Sequence, residues 1–73
     1  MVKFVIEGEF ITLGQFLKSA DYVYSGGMVR HFLEENEIYL NGEKENRRGK
    51  KIFVNDKLII NGKEYLFVKW LNI

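Results

Sequence analysis

Cysteine is absent from the chain, so no disulfide can staple it, and the redox compartment is left open with a lean towards the cytosol. Histidine occurs once, at His31, which excludes the His and Cys sets of a structural zinc site. No apolar run approaches the roughly 18 residues that span a bilayer, and the N-terminus lacks the features of a secretory signal. The chain is therefore expected to be cytoplasmic, with no membrane partner. No phosphate-binding Walker loop or dinucleotide fingerprint is present. No cofactor, metal or small-molecule substrate is expected. Proline is missing as well, and 47% of the residues are hydrophobic and 15% aromatic. That richness in core material compensates for a length of 73 residues, near the lower limit at which a single hydrophobic core holds a fold.

Catalysis finds little support. A nucleophilic mechanism would need Ser19 or Ser25 with His31 and an aspartate such as Asp21, but helix ends explain both serines better and no nucleophile-elbow pattern surrounds them. Glu34, Glu35 and Glu37 would splay apart on a helix and read as a solvated acidic face. The expectation is a protein that is not an enzyme.

What the chain does have is segregated charge. The net charge is +1, yet residues 1–43 carry −4, residues 44–57 carry +4 and residues 58–73 carry +1. The cations concentrate in Asn41-Gly42-Glu43-Lys44-Glu45-Asn46-Arg47-Arg48-Gly49-Lys50-Lys51, a stretch without an apolar residue that ends in four cations within five positions. Such a footprint marks a polyanion-binding surface, or else an ordinary solvated loop. Its polarity keeps it out of a core, so it reads as a solvent-facing loop held between the apolar runs Ile38-Tyr39-Leu40 and Ile52-Phe53-Val54.

Around that loop the periodicities sketch a scaffold. Val2–Ile6 read as a first strand. Thr12 and Gln15 have capping-box spacing, with Ile11 and Phe16 placed as a hydrophobic staple. Leu13, Phe16, Leu17 and Ala20 predict a helix over 13–20. Ser25 caps a second helix whose stripe is Met28, Val29, Phe32 and Leu33, with Asn36 as a left-handed C-terminal cap. Gly26 and Gly27 in its first turn leave backbone N–H groups uncovered for a phosphate, or else permit a close helix–helix approach. Arg30 and His31 lie off the stripe, and Glu34 is one turn from Arg30. Strands are expected over 37–40, 51–54, 57–60 and 64–71, separated by turns at Asn41-Gly42, Asn55-Asp56 and Asn61-Gly62. The fold class is α+β, two helices packed on a small antiparallel sheet, in one domain. Phe4, Phe10, Phe16, Phe32, Phe53 and Phe67 are assigned to the core, and Tyr22, Tyr24 and Tyr39 are left to stack on unpaired bases.

These residues line up with a family. Leu13 and Phe16-Leu17, then Ser25-Gly26-Gly27-Met28-Val29-Arg30, Ile38-Tyr39-Leu40-Asn41-Gly42 and Asn55-Asp56-Lys57-Leu58-Ile59-Ile60 resemble the S-four RNA-binding domain. The basic middle stretch is similar to its stand-alone bacterial members of YaaA type. The resemblance implies an αL-type module over 11–60 that binds structured RNA, commonly ribosomal; residues 61–73 read as a C-terminal hairpin strand added to it. It also implies that Arg30, Asn41 and the loop cations lie on the RNA-facing edge. Two departures stand out: Thr12-Leu13-Gly14 replaces the usual Arg-Leu-Asp, and Ser25-Gly26 replaces Ser-Arg. With those cations missing, weight shifts to the loop.

The expected RNA-binding residues are Gly26, Gly27, Arg30, Asn41, Asn46, Arg47, Arg48, Lys50 and Lys51, forming one surface with Glu35 turned elsewhere. The expected partner is RNA, ribosomal RNA or a ribosomal particle, bound by a monomer in ribosome assembly or translation. The competing reading is a protein-interaction adaptor that docks its partner with the basic loop and the C-terminal strand.

Overall fold

A computed structural model describes residues 1–70 of the chain. Its elements run β1 (Val2–Val5), β2 (Phe10–Thr12), α1 (Leu13–Ser19), α2 (Gly26–Glu35), β3 (Ile38–Leu40), β4 (Glu43–Lys44), β5 (Lys51–Phe53), β6 (Lys57–Ile60) and β7 (Lys63–Val68). Five strands form one sheet in the order β1-β7-β6-β3-β4, and β2 pairs with β5 in a separate two-stranded ribbon. The α+β class is as expected. The main sheet is mixed rather than purely antiparallel, because β1 runs parallel to β7 with Val2 opposite Tyr65 and Val5 opposite Val68.

The sheet's inner face follows from strand alternation. Ile38, Leu40, Leu58, Ile60, Tyr65 and Phe67 are buried, and the pairings Ile38–Ile60, Leu40–Leu58 and Leu58–Tyr65 align them across the strands. The helices cover that face with Leu13, Phe16 and Leu17 from α1 and with Val29 and Leu33 from α2. Phe16 is the central contact. Its ring meets those of Phe4, Tyr65 and Phe67 edge-on, at centroid distances of 4.8, 5.0 and 5.1 Å. Removing so buried an aromatic side chain costs about 3–5 kcal/mol, a large share of a small domain's stability.

Three members of the expected core lie elsewhere. Met28 is exposed on α2, and Phe10 and Phe53 are exposed on the ribbon. The reason is parity: Ile11 and Ile52 face each other toward the core, so their neighbours Phe10 and Phe53 project from the opposite side. Tyr22 moves the other way. It packs against the core, its ring 5.4 Å from Phe32, and its hydroxyl hydrogen-bonds that of Tyr65. Burial, reinforced by that hydrogen bond, pushes its pKa up to about 12. Tyr24 is exposed and Tyr39 half-buried on β3.

Both Asn-Gly turns adopt positive φ at each central residue, 52° and 86° at Asn41-Gly42 and 48° and 88° at Asn61-Gly62. They close two-residue hairpins, β3–β4 and β6–β7. Asn36 does not take the left-handed conformation expected of it; its φ is −123°. Instead its side-chain amide donates to the Phe32 carbonyl, and its side-chain oxygen accepts from Asn61. The left-handed residue is Asp21 (φ 64°), after α1, where the Tyr22 N–H reaches the Leu17 carbonyl and the Asp21 N–H that of Lys18.

The C-terminal strand also corrects an expectation. β7 lies between β1 and β6, hydrogen-bonded on both sides, with Tyr65 and Phe67 buried. It has no free edge to lend to another sheet. Residue 71, the last of the strand expected there, lies outside the described residues.

Candidate nucleic-acid interface

The basic stretch is not one open loop. Glu43-Lys44 first pair back onto β3, with Leu40 opposite Glu43. The chain then leaves the sheet and crosses to α1 before entering β5. What fixes this crossing is Glu45, which has 8% of its surface exposed and sits within a run of exposed polar residues. Its carboxylate accepts from Arg47 Nε at 2.9 Å, from Arg47 Nη2 at 3.1 Å and from the Arg47 backbone N–H at 3.1 Å. The two-pronged geometry suits a planar guanidinium. The hydrogen bonds from Arg47, aided by its charge and that of Lys50, hold the Glu45 carboxyl below its ordinary pKa against the opposing effect of burial. The same contact raises the pKa of Arg47.

The second anchor is the start of α1. Thr12 ends β2 and caps the helix: its hydroxyl accepts from the Gln15 N–H, and its own N–H donates to Gln15 Oε1. The expected capping box is therefore formed. The Leu13 and Gly14 N–H groups donate to the carbonyls of Lys50 and Arg48, at 2.8 and 2.9 Å. The loop thus lies across the helix end and satisfies its free donors. Gly14 makes this approach possible: a Cβ there would come within 3.3 Å of the Arg48 carbonyl oxygen and 3.6 Å of Val29. The departure from Asp at this position has a packing reason.

From that seat the Arg48 side chain extends to the start of α2. Its Nη2 lies 3.4 Å from where a Cβ on Gly26 would stand. Ser25 has no side-chain capping hydrogen bond, although it was expected to act as the cap. Gly27 would meet only the Ser25 hydroxyl, at 4.0 Å, so neither glycine serves a close helix–helix approach. The Met28 N–H has the Ser25 carbonyl as partner; among the described residues the Gly26 and Gly27 N–H groups have no such partner. A guanidinium therefore lies beside the positive end of a helix, and among the described residues no acidic side chain is paired with Arg48.

Arg30 lines a groove of about 430 Å³ with Leu33, Glu34, Lys44 and Asn46, which connects α2 to the loop. Among the described residues no ion pair joins Arg30 to Glu34; the close contact on this helix is His31 Nε2 to Glu35 Oε1, at 3.1 Å. Asn41 has less to offer an external partner. Its amide donates to Asp56 at 3.0 Å and its side-chain oxygen accepts from the Lys57 N–H at 2.9 Å, clasping two turns together. Lys50 is half-buried, and Lys51 places Nζ 4.7 Å from the centre of the Phe10 ring. The structure thus brings Arg48 beside Gly26, the residue before Gly27, and Arg30 beside Asn46. It ties Arg47 to Glu45 and Asn41 to the fold.

Phe10 and Phe53 border this surface although they were expected in the core, and Glu45 is buried although its stretch was expected to face solvent. The alternation in Phe10-Ile11-Thr12 and in Lys51-Ile52-Phe53 carries the signal for the two rings: each short strand has one apolar residue for either face. Glu45 gives no such signal, because its burial depends on a bend that only tertiary contacts impose.

Residues 4–68 match the family model described as S4 domain, the S-four family of the resemblance above. The chain is also 54% identical over 57 residues to the "Probable ribosome maturation protein RlbA" of Bacillus subtilis (strain 168), an alignment covering 78% of this chain and 80% of that protein. No solved structure matches.

Proposed function

The chain belongs to the S4-domain family, and from that premise we propose that it is a non-enzymatic RNA-binding module acting in ribosome maturation. Its partner on this reading is ribosomal RNA or a ribosomal particle, bound by the monomer. The relative's name supplies the biological setting. The observation that carries the reading is the placement of Arg48 beside the uncapped start of α2. Two adjacent positive groups are stabilised by an anion between them, and an RNA phosphate has the charge and the acceptor oxygens to fill that role.

On this reading Arg48, with Gly26 and Gly27, holds one phosphate, while Arg30, Asn46 and Lys50 follow the backbone to either side. Arg47 contributes through the donor capacity that Glu45 leaves to it, its side chain being 69% exposed. Asn41 acts by holding the β3–β4 turn in place. These contacts position the RNA without reading its sequence. Replacing Arg47 and Arg48 by alanine is expected to weaken binding to different RNAs by similar factors. It should also flatten the slope of log K against log salt by about 0.7–0.9 for each phosphate no longer neutralised. Fluorescence-anisotropy titrations over a range of salt concentrations measure both quantities. An unchanged slope would overturn the assignment.

A further inference from the structure

The ribbon of β2 and β5 presents a face that phosphate contacts leave unused. Phe10 and Phe53 stand directly opposite each other, 37% and 44% exposed, with ring centroids 5.8 Å apart and planes inclined by 57°. Directly opposed aromatics stabilise a ribbon, but that role does not require one ring to border a basic notch. Phe53 does so: with Arg47, Gly49, Lys50 and Lys51 it lines a concavity of about 450 Å³. Among the described residues no acidic one lines it.

Gly49 gives the notch its openness. Its φ is not in the left-handed region, and a Cβ there would have nothing within 4 Å. Neither backbone conformation nor packing demands glycine at this position. A larger side chain would project into free space at the notch and narrow it.

We propose that Phe53, backed by Phe10, is a stacking platform for one unpaired base of the RNA whose backbone the adjoining cations hold. The inference rests on the RNA-binding reading above and adds to it the kind of RNA bound: a helix interrupted by a bulged or looped-out nucleotide. An aromatic face among cations suits a nucleotide because the base offers a π-face and its phosphate a charge. Lys51 over the Phe10 ring supports this division, since it occupies one aromatic face with a cation and leaves Phe53 facing the notch.

The test uses two short RNA hairpins that differ by a single bulged 2-aminopurine, titrated with the full chain. The wild-type protein should quench the bulged base and bind that hairpin more tightly than the fully paired one. Phe53→Leu should abolish the quench and weaken binding to the bulged hairpin by about tenfold while leaving the paired one unchanged. Phe53→Tyr should retain both properties, and Gly49→Val, which crowds the notch without touching the core, should behave as Phe53→Leu does. If both hairpins bind and Phe53→Leu changes neither, stacking is wrong and the RNA-binding reading stands. If neither hairpin binds the wild-type protein, both readings fall. Loss of co-sedimentation with ribosomal particles in Phe53→Leu, with hairpin binding intact, would mark the ring as a protein contact and overturn the stacking proposal.

Discussion

The two helices begin in opposite ways. At α1 the donors are taken: Thr12 and Gln15 form a reciprocal cap, and the carbonyls of Lys50 and Arg48 accept from Leu13 and Gly14. At α2 the Ser25 hydroxyl makes no capping bond, two glycines follow, and the nearest side-chain atom to Gly26 belongs to an arginine. The first start is a joint that fixes the basic loop to the core. The second is an open end to which the same loop brings a positive charge. Polar groups are thus committed where the chain is fastened at α1 and left uncommitted at the start of α2, where the proposed function places an RNA phosphate.

The largest expected effect comes from forcing the joint apart. Gly14→Val places branched carbons against the Arg48 backbone and Val29, and overpacking of this kind costs about 1–3 kcal/mol. Urea melts should show that loss, and amide spectra should show residues 45–50 shifted. Gly26→Ala meets only the end of a long side chain, so its stability should hold or rise slightly, by a few tenths of a kcal/mol, through the better helix propensity of alanine. If the two substitutions cost the same, the contrast between the helix starts is lost.

Cap deletion sharpens the contrast more gently. Thr12→Ala should cost about 1 kcal/mol, because it removes a formed capping bond. Ser25→Ala removes none and should fall within about 0.5 kcal/mol of wild type. Equal losses in chemical denaturation would contradict the assignment of α2 as the uncapped helix.

The mildest perturbation is acid. The folded-state pKa of Glu45 lies below the ordinary 4.5. Its contribution to stability is therefore complete above 4.5 and is lost as pH falls below that value through the folded pKa. Amide shifts of residues 45–50 should move in that window, and Glu45→Gln should remove the transition. Loop resonances that titrate identically in Glu45→Gln would show that another group controls the loop.

Much of this architecture is legible in the sequence. Turn chemistry locates both Asn-Gly hairpins, and the spacing of Thr12 and Gln15 locates the cap, since each is decided by residues adjacent in sequence. The parallel pairing of β1 with β7 is not legible, because nothing local in Val2–Val5 states its partner or direction. The ribbon escapes for a related reason: β5 follows a basic run that separates it from β4, and its partner β2 lies some forty residues away. At the site, the cations are visible but their division of labour is not. Which arginine meets Glu45 and which reaches Gly26 depends on the bend that Gly14 permits.

Central to the proposed function is a single RNA-binding surface made by the open start of α2 and the basic loop. Titration of the isotopically labelled protein with a ribosomal RNA fragment, followed by amide NMR, tests this most directly. Gly26, Gly27 and residues 46–51 are expected to shift together along one binding curve, and Arg48→Ala should diminish the shifts at both glycines. Shifts confined to the loop, with Gly26 and Gly27 unmoved at saturation, would contradict it.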